Sequence, residues 1–271
     1  MISPHDVVAA LERIAPPALA SSWDNVGLLI EPPRSGSVNR VFLTIDLTEA
    51  VFAEAVEREV DFIVSYHPPI FSGLKRLTQA GAQSRVLLEA IARGIPIYSP
   101  HTALDAAPQG MTDWLLDGLG PMVVRKAIQP ALSFEDVGGP AVGVGRLGEL
   151  AGAAPLSELI LRLKAWLNLE HVRVASPDEH AAGLPLKEIA VCPGAGGSVF
   201  ENVRGVELFV TGEMRHHDVL AMVSRGASVV LTEHTNTERG YLQVFAGRLE
   251  AMLDGVDVLV SNADRDPLRV I

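Results

Sequence analysis

Several apolar runs in this chain stop on groups able to ligate a metal. "DFIVSYHPPIF" ends at His67, where Pro68 and Pro69 restrict the backbone and hold the imidazole in one direction. "SPHTALDAAPQG" places His101 and Asp105 just after another apolar run, and "VVLTEHTNTE" puts His234 at a third with Glu238 four residues on, in the expected first turn of a helix. "TGEMRHH" supplies Glu213, His216 and His217 after a fourth. In open α/β sheets ligands bind beyond the carboxyl ends of the strands, where these groups fall. Each alone has an ordinary explanation: a hydrogen-bonded turn histidine, a glutamate facing a helix dipole, a pair of solvated helix histidines. Together they offer imidazoles and carboxylates without thiolates, a set suited to Zn, Mn, Fe or a similar divalent ion. Two such ions sharing a carboxylate would activate water and neutralise a phosphate or carbonyl oxyanion.

Other motifs carry less. Gly143, Gly145 and Gly148 in "GVGRLG" match a dinucleotide-binding spacing, but "ELAGAAP" intervenes before the next helix near Pro155, so they read as strand and turn. "CPGAGGS" is a glycine-rich turn, and the N–H groups of Gly194, Gly196 and Gly197 could cradle an anion at a helix start. A tight turn without ligand is an equal reading of it. No serine lies in a GxSxG elbow, which argues against a nucleophile triad.

The elements that must position these groups alternate almost throughout: short apolar strands such as "RVFLTIDL" and "GVELFVTG", separated by amphipathic helices such as "AQSRVLLEAIARG". That pattern implies sheets covered on both faces. The expected fold is a two-lobed α/β/α layered protein with mixed sheets: residues 1–127 with 235–271 in one lobe, and 128–234 in the other, with a break near "PALSFEDVGGP". Ser3, Pro4 and Asp6 read as the start of an N-terminal helix.

At 271 residues and 48% hydrophobic, the chain has ample core material. The net charge of −11 argues against nucleic acid and anionic membranes as partners. Without a basic leader or a spanning apolar run, the expected compartment is the cytoplasm. The single cysteine, Cys192, excludes an internal disulfide and reads as a small buried hydrophobe.

Six segments resemble one known family, the dinuclear-metal proteins described as GTP cyclohydrolase 1 type 2 homologues or NGG-one-interacting-factor-three-like proteins. They are "SWDNVGLLI", "DFIVSYHPPIF", "IYSPHTALDAAPQGMTDWL", "VELFVTGEMRHH", "VVLTEHTNTE" and "SNADRDPL", spread over nearly the whole chain. The resemblance implies a toroidal homohexamer without an inserted middle domain, its metal site facing the central cavity. It implies metal ligation by His67, Asp105, His234 and Glu238. The family's motif pairs two adjacent histidines where this chain has Tyr66 before His67. A neutral phenol ligates weakly, its pKa being near 10, so one or two ions per chain are expected, with Tyr66 and His101 as auxiliary groups. Glu213 is the candidate acid or base. The expected function is metal-dependent hydrolysis of a nucleotide or phosphorylated small molecule, GTP cyclohydrolase-like by resemblance, with a small anionic substrate. The alternative is a non-enzymatic metal-binding, metallochaperone or partner-binding hexamer.

Overall fold

The computed structural model describes residues 1–131 and 142–268; most of the segment expected to break the chain lies outside them. Two compact units divide the chain, Met1–Leu104 with Tyr241–Arg265, and Asp105–Gly240 with the tail that begins at Asp266. The expected boundaries at 127 and 234 both lie inside the second unit, because the chain leaves the first soon after His101.

The first unit opens with α1 (Pro4–Ile14), whose Ser3 and Asp6 form a reciprocal capping box. Then follow β1 (Gly27–Ile30), β2 (Arg40–Thr44), α2 (Glu49–Glu57), β3 (Phe62–Ser65), α3 (Ala82–Arg93) and β4 (Ile97–Ser99). Thr48 caps α2 through its side chain. α3 stops at Gly94, which takes a left-handed conformation at φ 75°. β2, β3 and β4 run parallel, and β1 closes one edge antiparallel to β4. All four residues of β3 are buried, as a strand covered on both faces requires. Phe42, Ile63, Val86, Leu87 and Ile97 belong to the core of this unit. Burying each is worth about 1.5–3 kcal/mol.

α4 (His101–Ala106) carries the chain across the division, and the second unit continues with α5 (Met111–Asp117), β5 (Met122–Pro130) and β6 (Gly143–Pro155). α6 (Leu156–Leu167), β7 (Arg173–Ala175), α7 (Asp178–Ala181), β8 (Pro185–Cys192) and α8 (Gly197–Phe200) follow. β9 (Leu208–Thr211), α9 (His216–Ser224) and β10 (Ser228–Leu231) complete it. The sheet order is β5-β6-β8-β9-β10-β7, with β8, β9 and β10 parallel and the other pairings antiparallel. The glycines of "GVGRLG" sit inside β6, paired with β5, and the next helix begins only at Leu156. That geometry cannot cradle a dinucleotide.

The chain returns to the first unit as α10 (Tyr241–Glu250) and β11 (Asp257–Val260), the latter parallel to β2. Among the described residues, no helix is long and apolar enough to cross a membrane.

Candidate metal centre

In the first unit, parallel strands deliver three groups at their carboxyl ends: Asp46 after β2, His67 after β3 and His101 after β4. The backbone around His67 is pinned from several sides. The N–H groups of Tyr66 and His67 donate to the carbonyls of Thr44 and Ile45, and the hydroxyls of Ser65 and Ser99 donate to the carbonyls of His67 and Tyr66. His67 Nδ1 lies 2.9 Å from Asp46 Oδ1, so Nε2 is the nitrogen that could ligate a metal ion. His101 repeats the device, with Nδ1 2.7 Å from Asp24 Oδ1. A carboxylate on one ring nitrogen orients an imidazole and raises its basicity, as in metal-ligating histidines. Burial raises the pKa of Asp24, but the bonds from His101 and Thr102 outweigh it and hold the carboxyl below its ordinary range. Strand alternation leads one to expect the Tyr66 and His67 side chains to point apart. Tyr66 is 2% exposed, yet its ring centroid lies 5.1 Å from that of His67 and 5.4 Å from that of His101. The strand ends at Ser65, so the alternation no longer governs this pair.

In the second unit, the ends of β8, β9 and β10 supply the glycine turn, Glu213 and His234. His234 Nδ1 lies 2.7 Å from Glu213 Oε1, the third imidazole braced in this way. Glu213, expected as an acid or base, therefore orients His234. His234 Nε2 is 3.5 Å from Glu238 Oε1. Two ligand atoms about 2.0–2.1 Å from a tetrahedral zinc are about 3.3 Å apart, so this spacing fits an ion between them. His234 and Glu238 belong to a His/Glu group that could hold a metal ion. Glu238 is not in the first turn of a helix as expected: it closes a 3-10 turn over Thr235–Thr237, and α10 begins only at Tyr241. The turn packs its carboxylate inward, where it is 1% exposed.

Asp105 sits in α4. Burial, then the Asp105 and Glu238 carboxylates, push the Cys192 thiol far up, so both acids lie close enough to act on one buried sulfur. Cys192 is the buried small residue expected, and inert as a thiolate. Arg146, which sequence reasoning passed over, braces this region. Its guanidinium is fully buried, bonds Asp113 at 2.8 Å, and donates to the carbonyls of Ala106 and Ala107 beside Asp105. An arginine in the middle of an apolar strand, "VGRLG", was the signal.

The glycine turn does not offer the expected anion cradle. The Gly194 N–H donates to Thr237 Oγ1 and the Gly196 N–H to Thr211 Oγ1, and α8, begun at Gly197, is only four residues long. The turn instead lets the backbone approach His234 and Glu238. His216 and His217 are exposed on α9, their rings 5.5 Å apart.

Carboxylate-braced histidines at the ends of parallel strands, with a buried glutamate beside one of them, define an α/β protein with a His/Glu group that could hold a metal ion. The chain belongs to the Duf34/NIF3 (NGG1p interacting factor 3) family, whose model matches residues 2–267. It is 44% identical to the "Protein NIF3 homolog" of Schizosaccharomyces pombe over 269 residues, covering 95% of this chain and 94% of that relative. It is 37% identical to the "NGG1-interacting factor 3" of Saccharomyces cerevisiae over 280 residues, covering 97% and 96%. The crystal structure of a Bacillus cereus protein related to NIF3 shares the fold, with TM-score 0.83 at 19% identity and 98% of each chain covered.

Proposed function

We propose that the protein is a divalent-metal-dependent hydrolase acting on a nucleotide or phosphorylated small molecule, with His67, Asp105, His234 and Glu238 as ligands. The observation that carries this reading is the spacing of 3.5 Å between His234 Nε2 and the buried Glu238 Oε1, with Glu213 fixing the opposite ring nitrogen. A bound divalent ion would supply Lewis acidity and lower the pKa of water. The chain's own residues have narrower tasks. Asp46 and Glu213 hold His67 and His234 in one tautomer, Gly194 permits close approach of the turn, and Arg146 fixes the chain around Asp105. Assembly into a homohexamer, which the resemblance implies, is part of the same proposal.

The test is elemental analysis of the purified protein, then a panel of nucleotides and phosphoesters, GTP first, under each metal found. Asp105→Ala and Glu238→Ala should each lower metal content sharply, and turnover should be lost with it. Unchanged metal content in both variants would remove the ligand assignment. Full occupancy without turnover on the panel would favour the non-enzymatic alternative, a binding role in keeping with the interaction-based name of the yeast relative.

A further inference from the structure

Two large aromatic side chains stand exposed in the first unit, beside residues tied down by polar bonds. Trp23 is 61% exposed and Phe71 53%. Their ring centroids are 6.0 Å apart at an interplanar angle of 49°. Neither sits on a loose loop. The residue after Trp23, Asp24, has its carboxylate buried and accepts from the N–H of Thr102, while bonding His101 Nδ1. Asn25 donates its side-chain amide to the carbonyl of Ile70, the residue before Phe71. Ser21 N–H donates to Thr102 Oγ1. Four part-buried polar bonds thus anchor the backbone beside the two exposed rings.

The pair also continues into the candidate metal centre. The Trp23 ring meets His101 edge-on at 6.0 Å, and His101 meets His67 edge-on at 5.5 Å. His101 has φ 27°, a strained backbone for a residue with a side chain, and the Asp24 bond keeps its ring in place. Exposed, preorganised indole and phenyl faces are suited to stacking flat aromatic rings, and each base–aromatic stack is worth about 1–3 kcal/mol.

We infer that Trp23 and Phe71 form an aryl-binding platform that stacks a planar heteroaromatic ring of the ligand and presents the rest of it toward His101 and His67. This deepens the proposed hydrolase reading by naming what selects the substrate: a flat ring, not phosphate alone. The continuity of the aromatic run with His67 favours a small ligand over a second copy of the chain.

The experiment uses full-length protein stripped of metal, so binding is read without turnover. Wild type, Trp23→Ala, Trp23→Phe and Phe71→Ala are titrated with guanosine, adenosine and cytidine, and with ribose 5-phosphate as a ring-free control. Tryptophan fluorescence and calorimetry are both recorded. Nucleosides should quench wild-type fluorescence, and the quench should vanish in Trp23→Phe, where Trp114 and Trp166 remain. Affinity should fall at least about tenfold in Trp23→Ala, fall less in Phe71→Ala, and stay within about threefold in Trp23→Phe. Ribose 5-phosphate should show no dependence on Trp23. The inference is overturned if no nucleoside binds wild type at millimolar concentration, or if Trp23→Ala binds nucleosides as wild type does. It is likewise overturned if Trp23→Ala changes only the sedimenting species, which would make the platform a contact between copies. Nucleosides bound through Trp23 with no turnover under any metal would uphold the platform and reject the hydrolase.

Discussion

A Cβ on Gly194 would lie 2.9 Å from His234 Nε2 and 3.0 Å from Glu238 Oε1. Gly194 also has φ 61°, a left-handed conformation that costs other residues roughly 1–2 kcal/mol. Glycine is thus required twice here, once by the backbone and once by the imidazole and carboxylate atoms it abuts.

Gly194→Ala should therefore weaken metal binding at least about tenfold by pushing the imidazole and carboxylate apart, and should lower the melting temperature of the metal-free protein as well. Chelator competition and thermal melting measure the two effects separately. Wild-type affinity in this variant would show that the turn does not shape the site.

Asp46 and Glu213 supply the braces behind His67 and His234, at 2.9 Å and 2.7 Å. Removing such an outer carboxylate while keeping the ligand typically costs 10–100-fold in metal affinity. Asp46→Asn and Glu213→Gln should each show a loss of about that size, with folding intact by circular dichroism. If neither changes affinity, the braces are incidental surface pairs.

The fully buried Arg146 shares Asp113 with Arg125. Asp113→Ala would leave a buried guanidinium without its main counter-charge, a loss of about 3–5 kcal/mol. Denaturant unfolding should register it, and adding Arg146→Met should recover part of the loss. A second substitution that deepens the instability would assign the cost to packing.

Much of this architecture was legible because a buried parallel strand leaves a plain signature. "FIVS" and "SVVL" are short, largely apolar runs, and each ends where the chemistry begins. His67 and His234 were visible for that reason. Asp24 and Asp46 were not, since an acid in a loop looks solvated until a histidine distant in sequence is folded against it. What Arg146 pairs with was hidden, because Asp113 and the carbonyls near Asp105 come from other elements. The glycine turn misled in the other direction: sequence counts N–H donors but cannot show that Thr211 and Thr237 have already taken two of them.

Glu54 sets a pH dependence on the returning C-terminal segment. Burial alone would raise its pKa. The Ser261 hydroxyl, the N–H groups of Asn262 and Ala263, and Arg58 outweigh that and bring it from 4.5 to about 2. A folded value below the unfolded one means that the stabilisation is complete above about pH 4.5 and is lost as the pH falls toward 2. Wild type should lose stability across that window more steeply than Glu54→Gln, which should be less stable at neutral pH. Parallel pH profiles for the two proteins would show that the carboxylate does not hold the tail.

Tyr66 bears on how many ions the protein holds. Its ring is buried beside His67 and His101, close to where the resembling family carries a second adjacent histidine. A neutral phenol is a poor ligand at pH 7 because it ionises only near pH 10. The wild-type protein should therefore show unequal sites, one well occupied and the other weak. Tyr66→His replaces the phenol with an imidazole and should raise the stoichiometry toward two ions per chain, at some cost in melting temperature because the smaller ring leaves a void in a buried position. Tyr66→Phe keeps the packing and removes only the hydroxyl, so it should leave the strong site filled and the weak site weak. Elemental analysis of all three proteins after dialysis against a mild chelator decides the matter. Two tightly held ions in wild type, both retained by Tyr66→Phe, would mean that the second ion is bound without help from position 66.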